Sequence, residues 1–442
     1  MKYRWVAMMI ASAMSLRAAE IAEIRSIMAN RVESGRAVGI VTGVIDATGS
    51  QVISSGKVSL DAAQQPDGAT VYEIGSITKV FTSLILADMI ERGEVQADDP
   101  VSKFLPASVT VPSRGGRQIT LLDLSMQMSG LPPLPDNLKP ADPSNPYADY
   151  DAPKLYDFLS RYTLTRYPGE QYEYSNLGAG LLGHALALKA GMSYEDLLRT
   201  RIFEPLGMRS TSITLSESQK RRLAPGYDAS LAPAKNWDFG VLAGCGAVRS
   251  TVNDMLKFLA ANLELTDTPL KAAMRRMRSL KKETGMPDVE IGMAWHLVTK
   301  FDTRIWWHNG GTFGYRSFVG FNPAKKEGVV VLCNTFVDND DLGNHILDSR
   351  FSAATFQKEQ QVDAAVLQRY VGEYELNSAF KIAVTRQGAR LFIQATGQPR
   401  LEIFAQSETE FFLKVVDARV SFLKDALILH QGGADQKAKK VK

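Results

Sequence analysis

Strand-like runs stand at both ends of the first 356 residues, and helical text fills the space between them. Near the start, Val38 to Ile45 and Gln51 to Val58 are separated by the turn signal Asp46-Ala47-Thr48-Gly49-Ser50. Far along the chain come Arg304 to Trp307, Arg316 to Phe321 and Gly328 to Asn334. Short strands cannot bury their faces alone, so the economical solution is one sheet assembled from both chain ends with helices packed on it. The expected fold is therefore α/β (α+β), with a sheet flanked by helices and a helical subdomain between about Asp98 and Asp288. Within that middle, Ile77, Val80, Phe81, Leu84, Ile85 and Met89 repeat at helical spacing, and Gly93 stands where a C-terminal cap is wanted. Ile21 to Val32 reads as a surface helix, and a last helix is expected over Asp341 to Phe356.

After a polar break at Gln357 to Asp363 the texture changes. Val371 to Tyr374, Phe380 to Thr385, Arg390 to Ala395, Leu401 to Phe404, Glu410 to Val415, Val420 to Leu423 and Ala426 to Leu429 are short strands at hairpin spacing. They predict a small all-β barrel or meander over 363–432, with a supporting role such as shielding a cleft or aiding assembly. Residues 433–442, with their lysines from Lys437 onward, are expected to be a solvated basic tail. At the other end, 1–19 has a basic start, an apolar run from Trp5 to Met14, and small residues at Ala18 and Ala19. That is the layout of a secretory signal, although Arg17 stands where a small residue is preferred. Export to the periplasm or medium is the expectation, with the start of a first amphipathic helix as the alternative. No segment is long and apolar enough to be a transmembrane helix.

Charge narrows the function. Fifty-one Lys and Arg against 48 Asp and Glu leave a formal charge of +3 with no basic stripe, which argues against nucleic-acid partners. Two cysteines and five histidines exclude a disulfide framework and most His/Cys metal cages, so neither metal nor cofactor is expected. Cys245 and Cys333 are read as two separate buried thiols, with a disulfide between them as the alternative in an exported chain. No Gly-x-Ser-x-Gly, His-Glu-x-x-His or Gly-x-x-x-x-Gly-Lys occurs.

Ser-x-x-Lys does occur, five times. On one helical turn the two side chains face the same way, and a desolvated neutral lysine can take a serine's proton. Ser54–Lys57 ends a strand, Ser279–Lys282 lies on a basic face, and Ser378–Lys381 and Ser421–Lys424 belong to the β-rich end. Only Ser76–Lys79 opens a strongly periodic helix, where free amides favour developing negative charge. The bland alternative makes Ser76 a helix cap and Lys79 a surface residue. Tyr174-Ser175-Asn176 follows the turn Pro168-Gly169-Glu170. A loop tyrosine beside a cation can have its phenol pKa lowered and act as a base, and an amide beside it can hold a carbonyl. The alternative is a packing aromatic followed by a cap. His308-Asn309-Gly310-Gly311 leaves a strand-like run, and its glycines let a backbone amide approach a ligand as half of an oxyanion hole. A structural histidine is the alternative there.

Taken in order, Ser-x-x-Lys, Tyr-x-Asn and His-x-Gly resemble the penicillin-recognising serine hydrolases, which comprise class C β-lactamases, D-alanyl-D-alanine peptidases and β-lactamase-like carboxylesterases. Tyr72-Glu73-Ile74-Gly75, Pro205-Leu206-Gly207-Met208 and Phe313-Gly314-Tyr315 agree, and the resemblance spans about 20–356. It implies a β-lactamase-like antiparallel sheet. Ser76 would be the acylated nucleophile, Lys79 and Tyr174 would share its proton, and Asn176 would hold the substrate amide. The amides of Ser76 and Gly311 would form the oxyanion hole. His308 would stand where typical class C β-lactamases carry lysine, which weakens the expected hold on a β-lactam carboxylate. The C-terminal strands resemble a lipocalin-like domain. The implied substrates are β-lactams or D-alanyl-D-alanine-like amides, with short acyl esters as one alternative and a catalytically silent peptide-binding relative as another. Oligomeric state is left open.

Overall fold

A computed structural model describes residues 20–414, 416, 418–431 and 434–441, so the expected signal segment 1–19 lies outside the described residues. Two compact units emerge, the first over 36–354 together with the chain before 33, the second over 355–442 with 33–35. The first unit is built on an eight-stranded antiparallel sheet. Its strands in chain order are β1 (Gly39–Asp46), β2 (Gly49–Gly56), β3 (Lys282–Glu283), β4 (Val289–Ile291), β5 (His296–Val298), β6 (Ile305–Thr312), β7 (Tyr315–Asn322) and β8 (Glu327–Cys333). Side by side they run β2-β1-β8-β7-β6-β5-β4-β3. The two chain ends meet at the β1–β8 seam, where Val41 lies opposite Leu332.

Both faces of this sheet are covered, which explains why β8 reads as an unbroken apolar run rather than an alternation. Val329, Val331 and Cys333 pack with Ile24 and Met28 of helix α1 (20–33) and with Leu342 and Leu347 of the helix Asp340–Leu347. Val330 and Leu332 point the other way, into the large core formed by α2 (Thr78–Glu91), α3 (Ala152–Arg161), α4 (Asn176–Ala190) and α5 (Val252–Asn262). The helix Asp340–Leu347, α6, stops well short of the expected Phe356. At α2 the apolar periodicity understated the burial, because Thr78 through Met89 are buried on every side. Its buried polar groups find partners: Thr82 donates to the Gly244 carbonyl at 2.7 Å, and Ser83 accepts from Ser125 at 2.8 Å. Gly93, at φ +70°, does follow the helix in the left-handed conformation.

The second unit is a closed eight-stranded barrel of consecutive neighbours, β9 (Gly372–Asn377), β10 (Phe380–Gln387), β11 (Arg390–Ala395), β12 (Leu401–Ala405), β13 (Glu410–Phe412), β14 (Ala418–Phe422), β15 (Ala426–Gln431) and β16 (Ala434–Lys440). The expected solvated tail is corrected here: residues 434–440 form the eighth strand. It pairs with β15 and closes the barrel on β9, with Glu375 opposite Lys439. Its lysines point outward and only Ala438 is turned fully inward, so the segment lacks the apolar alternation that marks a strand. Closure leaves no exposed sheet edge. Among the described residues no helix is long and apolar enough to cross a membrane.

Candidate active site

The three motif regions converge in the first unit. Ser76 sits on a short 3-10 turn, Gly75–Ile77, that runs directly into α2, and its side chain is partly exposed. One turn on, Lys79 is 1% exposed. Its Nζ donates to Ser76 Oγ at 2.9 Å, to Asn176 Oδ1 at 2.7 Å and to the Cys245 carbonyl at 2.8 Å. Burial lowers its pKa to about 8, with the neighbouring Cys245 acting in the opposite sense. At pH 7 roughly a tenth of the amine is therefore neutral, far more than for a lysine in water. The other Ser-x-x-Lys serines lack this setting. Ser421, for example, lies on β14 and bonds Glu410 and His430.

The second motif supplies three groups from one corner. Ser175 caps α4, its Oγ accepting from the Gly178 amide at 2.9 Å, which places Asn176 in the first helical turn. The Asn176 side chain is fixed at both ends, its oxygen on Lys79 and its nitrogen donating to the Tyr147 hydroxyl at 3.0 Å. One amide hydrogen is left for a substrate. The Tyr174 ring lies 4.7 Å from Lys79 Nζ. From the motif, a neighbouring cation can lower the phenol pKa of such a tyrosine. The shift runs the other way, because burial pushes the phenol up and the bond to Ser76 opposes this only in part. Tyr174 is thus a neutral hydroxyl beside the amine, fit to pass a proton but not to stand as a phenolate.

Tyr147 is the site residue that the sequence did not disclose. It stacks on Phe239 with ring centroids 5.0 Å apart and lies in a proline-rich loop, where no periodicity marks one aromatic as special.

The third motif forms the end of β6. His308 is buried, and its Nδ1 donates to the Asn309 carbonyl at 2.5 Å, which leaves Nε2 as the lone-pair nitrogen. Burial, followed by nearby His296 and Lys79, holds its pKa well below the ordinary value, so the ring is uncharged near neutral pH. β5 pairs with β6 only as far as Trp307, so beyond it that edge has no partner in the sheet. The turn that carries Ser76 fills the gap. A Cβ on Gly310 would lie 1.9 Å from the Ile74 carbonyl oxygen, and one on Gly75 (φ +50°) would lie 2.7 Å from the Gly311 nitrogen. Glycine at these places is what lets strand and turn touch.

Between them opens a cleft of about 290 Å3 whose lining includes Ser76, Tyr174, Trp237, Gly311, Phe313 and Arg316. Arg316 Nη2 donates to Asp338 at 3.2 Å and to Asp340 at 3.3 Å. Asp340 also accepts from Asn309 Nδ2, and burial, with Asp338 adding to it, raises its pKa to about 7. The two cysteines are separate buried thiols, as expected.

Set beside known proteins, residues 24–349 match the family profile described as Beta-lactamase, and 357–427 match a domain of unknown function (DUF3471). A Bacillus subtilis protein named penicillin-binding protein 4* is 28% identical over 84% of this chain and 88% of its own length. An Escherichia coli protein named D-alanyl-D-alanine-carboxypeptidase/endopeptidase AmpH is 30% identical over 67% of this chain and 79% of its own. Among solved structures, a beta-lactamase/D-alanine carboxypeptidase from Yersinia pestis superposes with a TM-score of 0.64 at 27% identity, covering 76% of this chain and 97% of that one.

Proposed function

The chain belongs to the beta-lactamase family, and from that premise we propose that it is a serine hydrolase working through an acyl-enzyme on Ser76, with D-alanyl-D-alanine-like amides and β-lactams as substrates. The observation that carries this reading is the buried Lys79 amine 2.9 Å from Ser76 Oγ, with its pKa lowered to about 8. In its neutral form Lys79 takes the serine proton, and Oγ forms a bond to the carbonyl carbon. The oxyanion then rests on the amides of Ser76 and Gly311, while Asn176 holds the substrate's own amide. The proton passes from Lys79 through the Tyr174 hydroxyl to the leaving nitrogen as the C–N bond breaks. Water adds to the acyl carbon, the same groups take its proton, and Ser76 is released with the acid. The basic and apolar start of the chain supports export, where such substrates are met.

A second reading, hydrolysis of short acyl esters, is favoured by the uncharged His308. With no fixed cation at that position, a substrate carboxylate gains less than it would from lysine. A silent peptide-binding relative has less support, because binding alone gives no use to an amine buried against a serine.

Intact mass and turnover with a penicillin, a D-alanyl-D-alanine peptide and a p-nitrophenyl ester separate these readings. A long-lived penicillin adduct on Ser76 marks a peptidase, rapid loss of penicillin a lactamase, and turnover of the ester alone an esterase. Lys79→Ala is expected to lower acylation by a factor of about 100 to 10,000 in every case. A variant that keeps its rate removes Lys79 from the mechanism.

A further inference from the structure

The cleft beside Ser76 is walled by aromatic rings that bond making and breaking do not use. Trp237 meets Phe313 edge-on, with ring centroids 4.6 Å apart, and the row continues through Phe239 to Tyr147, the partner of Asn176. Phe336 also lines the cleft and lies over the β6 strand, where a Cβ on Gly311 would meet its ring at 3.0 Å. Phe313 and Phe336 are 44% and 43% exposed, large apolar surfaces left open to water next to the candidate nucleophile. Trp237, by contrast, is clamped through its backbone. Its N–H donates to Glu73 at 3.0 Å, and its carbonyl accepts from Arg249 at 2.7 Å. Of the basic side chains along β6 and β7, His308 is uncharged and Arg316 already faces Asp338 and Asp340.

From this juxtaposition we propose that the cleft selects acyl groups carrying an aromatic ring, which seats against Trp237, Phe313 and Phe336 while the carbonyl lies at Ser76. The proposal rests on the acyl-enzyme reading above and names the acyl half of its substrate. A ring placed there leaves water on one face and meets edges and faces of fixed rings, contacts that add to simple burial.

A matched pair of ethyl thioesters, N-acetyl-D-alanine and N-phenylacetyl-D-alanine, isolates the effect, because the leaving group is small, uncharged and not aromatic. Thiol release gives kcat/KM for each, and labelling of Ser76 by a fluorophosphonate reports the nucleophile independently of either substrate. The expected preference for the phenylacetyl compound is about 30-fold, equal to about 2 kcal/mol. Trp237→Ala, and separately the surface changes Phe313→Leu and Phe336→Leu together, should cut that ratio below about fivefold. Equal kcat/KM for the two thioesters on an enzyme whose Ser76 is labelled overturns the aromatic selection and leaves the hydrolase reading standing. A ratio that survives in both variants also overturns it. Failure of both labelling and turnover refutes the hydrolase reading and the selection with it.

Discussion

At the scale of single residues, the candidate site turns on one buried amine and one neutral phenol. Lys79 loses its charge with a pKa of about 8, and only the neutral form can take a proton from Ser76. Acylation by an uncharged substrate is therefore expected to rise about tenfold per pH unit below 8 and to level off above it, as a pH profile of kcat/KM would record. A profile that is flat from pH 6 to 9 assigns the proton to another group. The same shift has a sign for stability. Between about 8 and the ordinary 10.5 the unfolded lysine binds a proton that the folded one does not, so this residue's contribution to stability grows as pH rises through that window. Tyr147 acts more quietly, by holding the Asn176 nitrogen at 3.0 Å. Tyr147→Phe removes that hydroxyl and keeps the ring on Phe239. A net hydrogen bond of about 0.5–1.5 kcal/mol predicts acylation slowed roughly two- to tenfold, with a melting temperature close to that of the parent. Ser76, Lys79, Tyr174, Asn176 and His308 were legible because spacing and neighbours set each apart. Tyr147 was not, since its importance is a contact across 29 residues of chain. Nor was the direction of the Tyr174 shift, since a motif shows which groups are close but not how much water is excluded.

At the scale of elements, glycine decides how closely the turn bearing Ser76 and β6 approach. Gly310→Ala would put a methyl carbon 1.9 Å from the Ile74 carbonyl oxygen and 2.6 Å from Ser317 Oγ, and because the nearer contact is backbone, strand and turn must separate. The Gly311 amide moves with its strand, and loss of one donor from the proposed oxyanion hole is worth about 100- to 1000-fold in rate. The expected outcome is that loss in acylation of Ser76, measured by stopped-flow mixing, with circular dichroism unchanged. A variant that acylates normally would place the oxyanion elsewhere. The sequence suggested that Gly310 and Gly311 let a backbone amide approach a ligand, but not that they let the strand meet the turn bearing Ser76. It could not disclose β16, whose residues Asp435, Gln436, Lys437 and Lys439 all face water. A strand that closes a barrel needs inward side chains only small enough to fit, and Ala438 alone meets that need visibly. Deleting 433–442 would leave β9 and β15 with open edges, so the truncated chain should bind a hydrophobic dye and associate, as light scattering would report.

At the scale of the whole molecule, the bracketing of helices by strands made it legible that one sheet is assembled from both chain ends, whereas the strand order, with β1 between β2 and β8, emerges only in the fold. The hairpin spacing made seven strands of the barrel legible. What the sequence could not settle is whether the barrel takes part in catalysis. Each unit has its own core, the barrel's being formed by residues such as Tyr374, Ile382, Leu391, Phe411 and Leu427. Ser76, Lys79, Tyr174, Asn176 and His308 all come from the other unit. Two separate cores predict two unfolding transitions in a calorimetric scan, which a single-domain chain of this kind would not give. Leu427 is fully buried in the barrel, and Leu427→Ala should cost that unit about 2–5 kcal/mol through lost burial and the cavity left behind. One transition should then fall by several degrees while the other stays in place, and the rate at which a fluorophosphonate labels Ser76 should not change. If both transitions move together, the two cores unfold as one. If labelling slows while the first unit's transition holds, the barrel contributes to the site directly, and the roles assigned to residues 36–354 alone are incomplete.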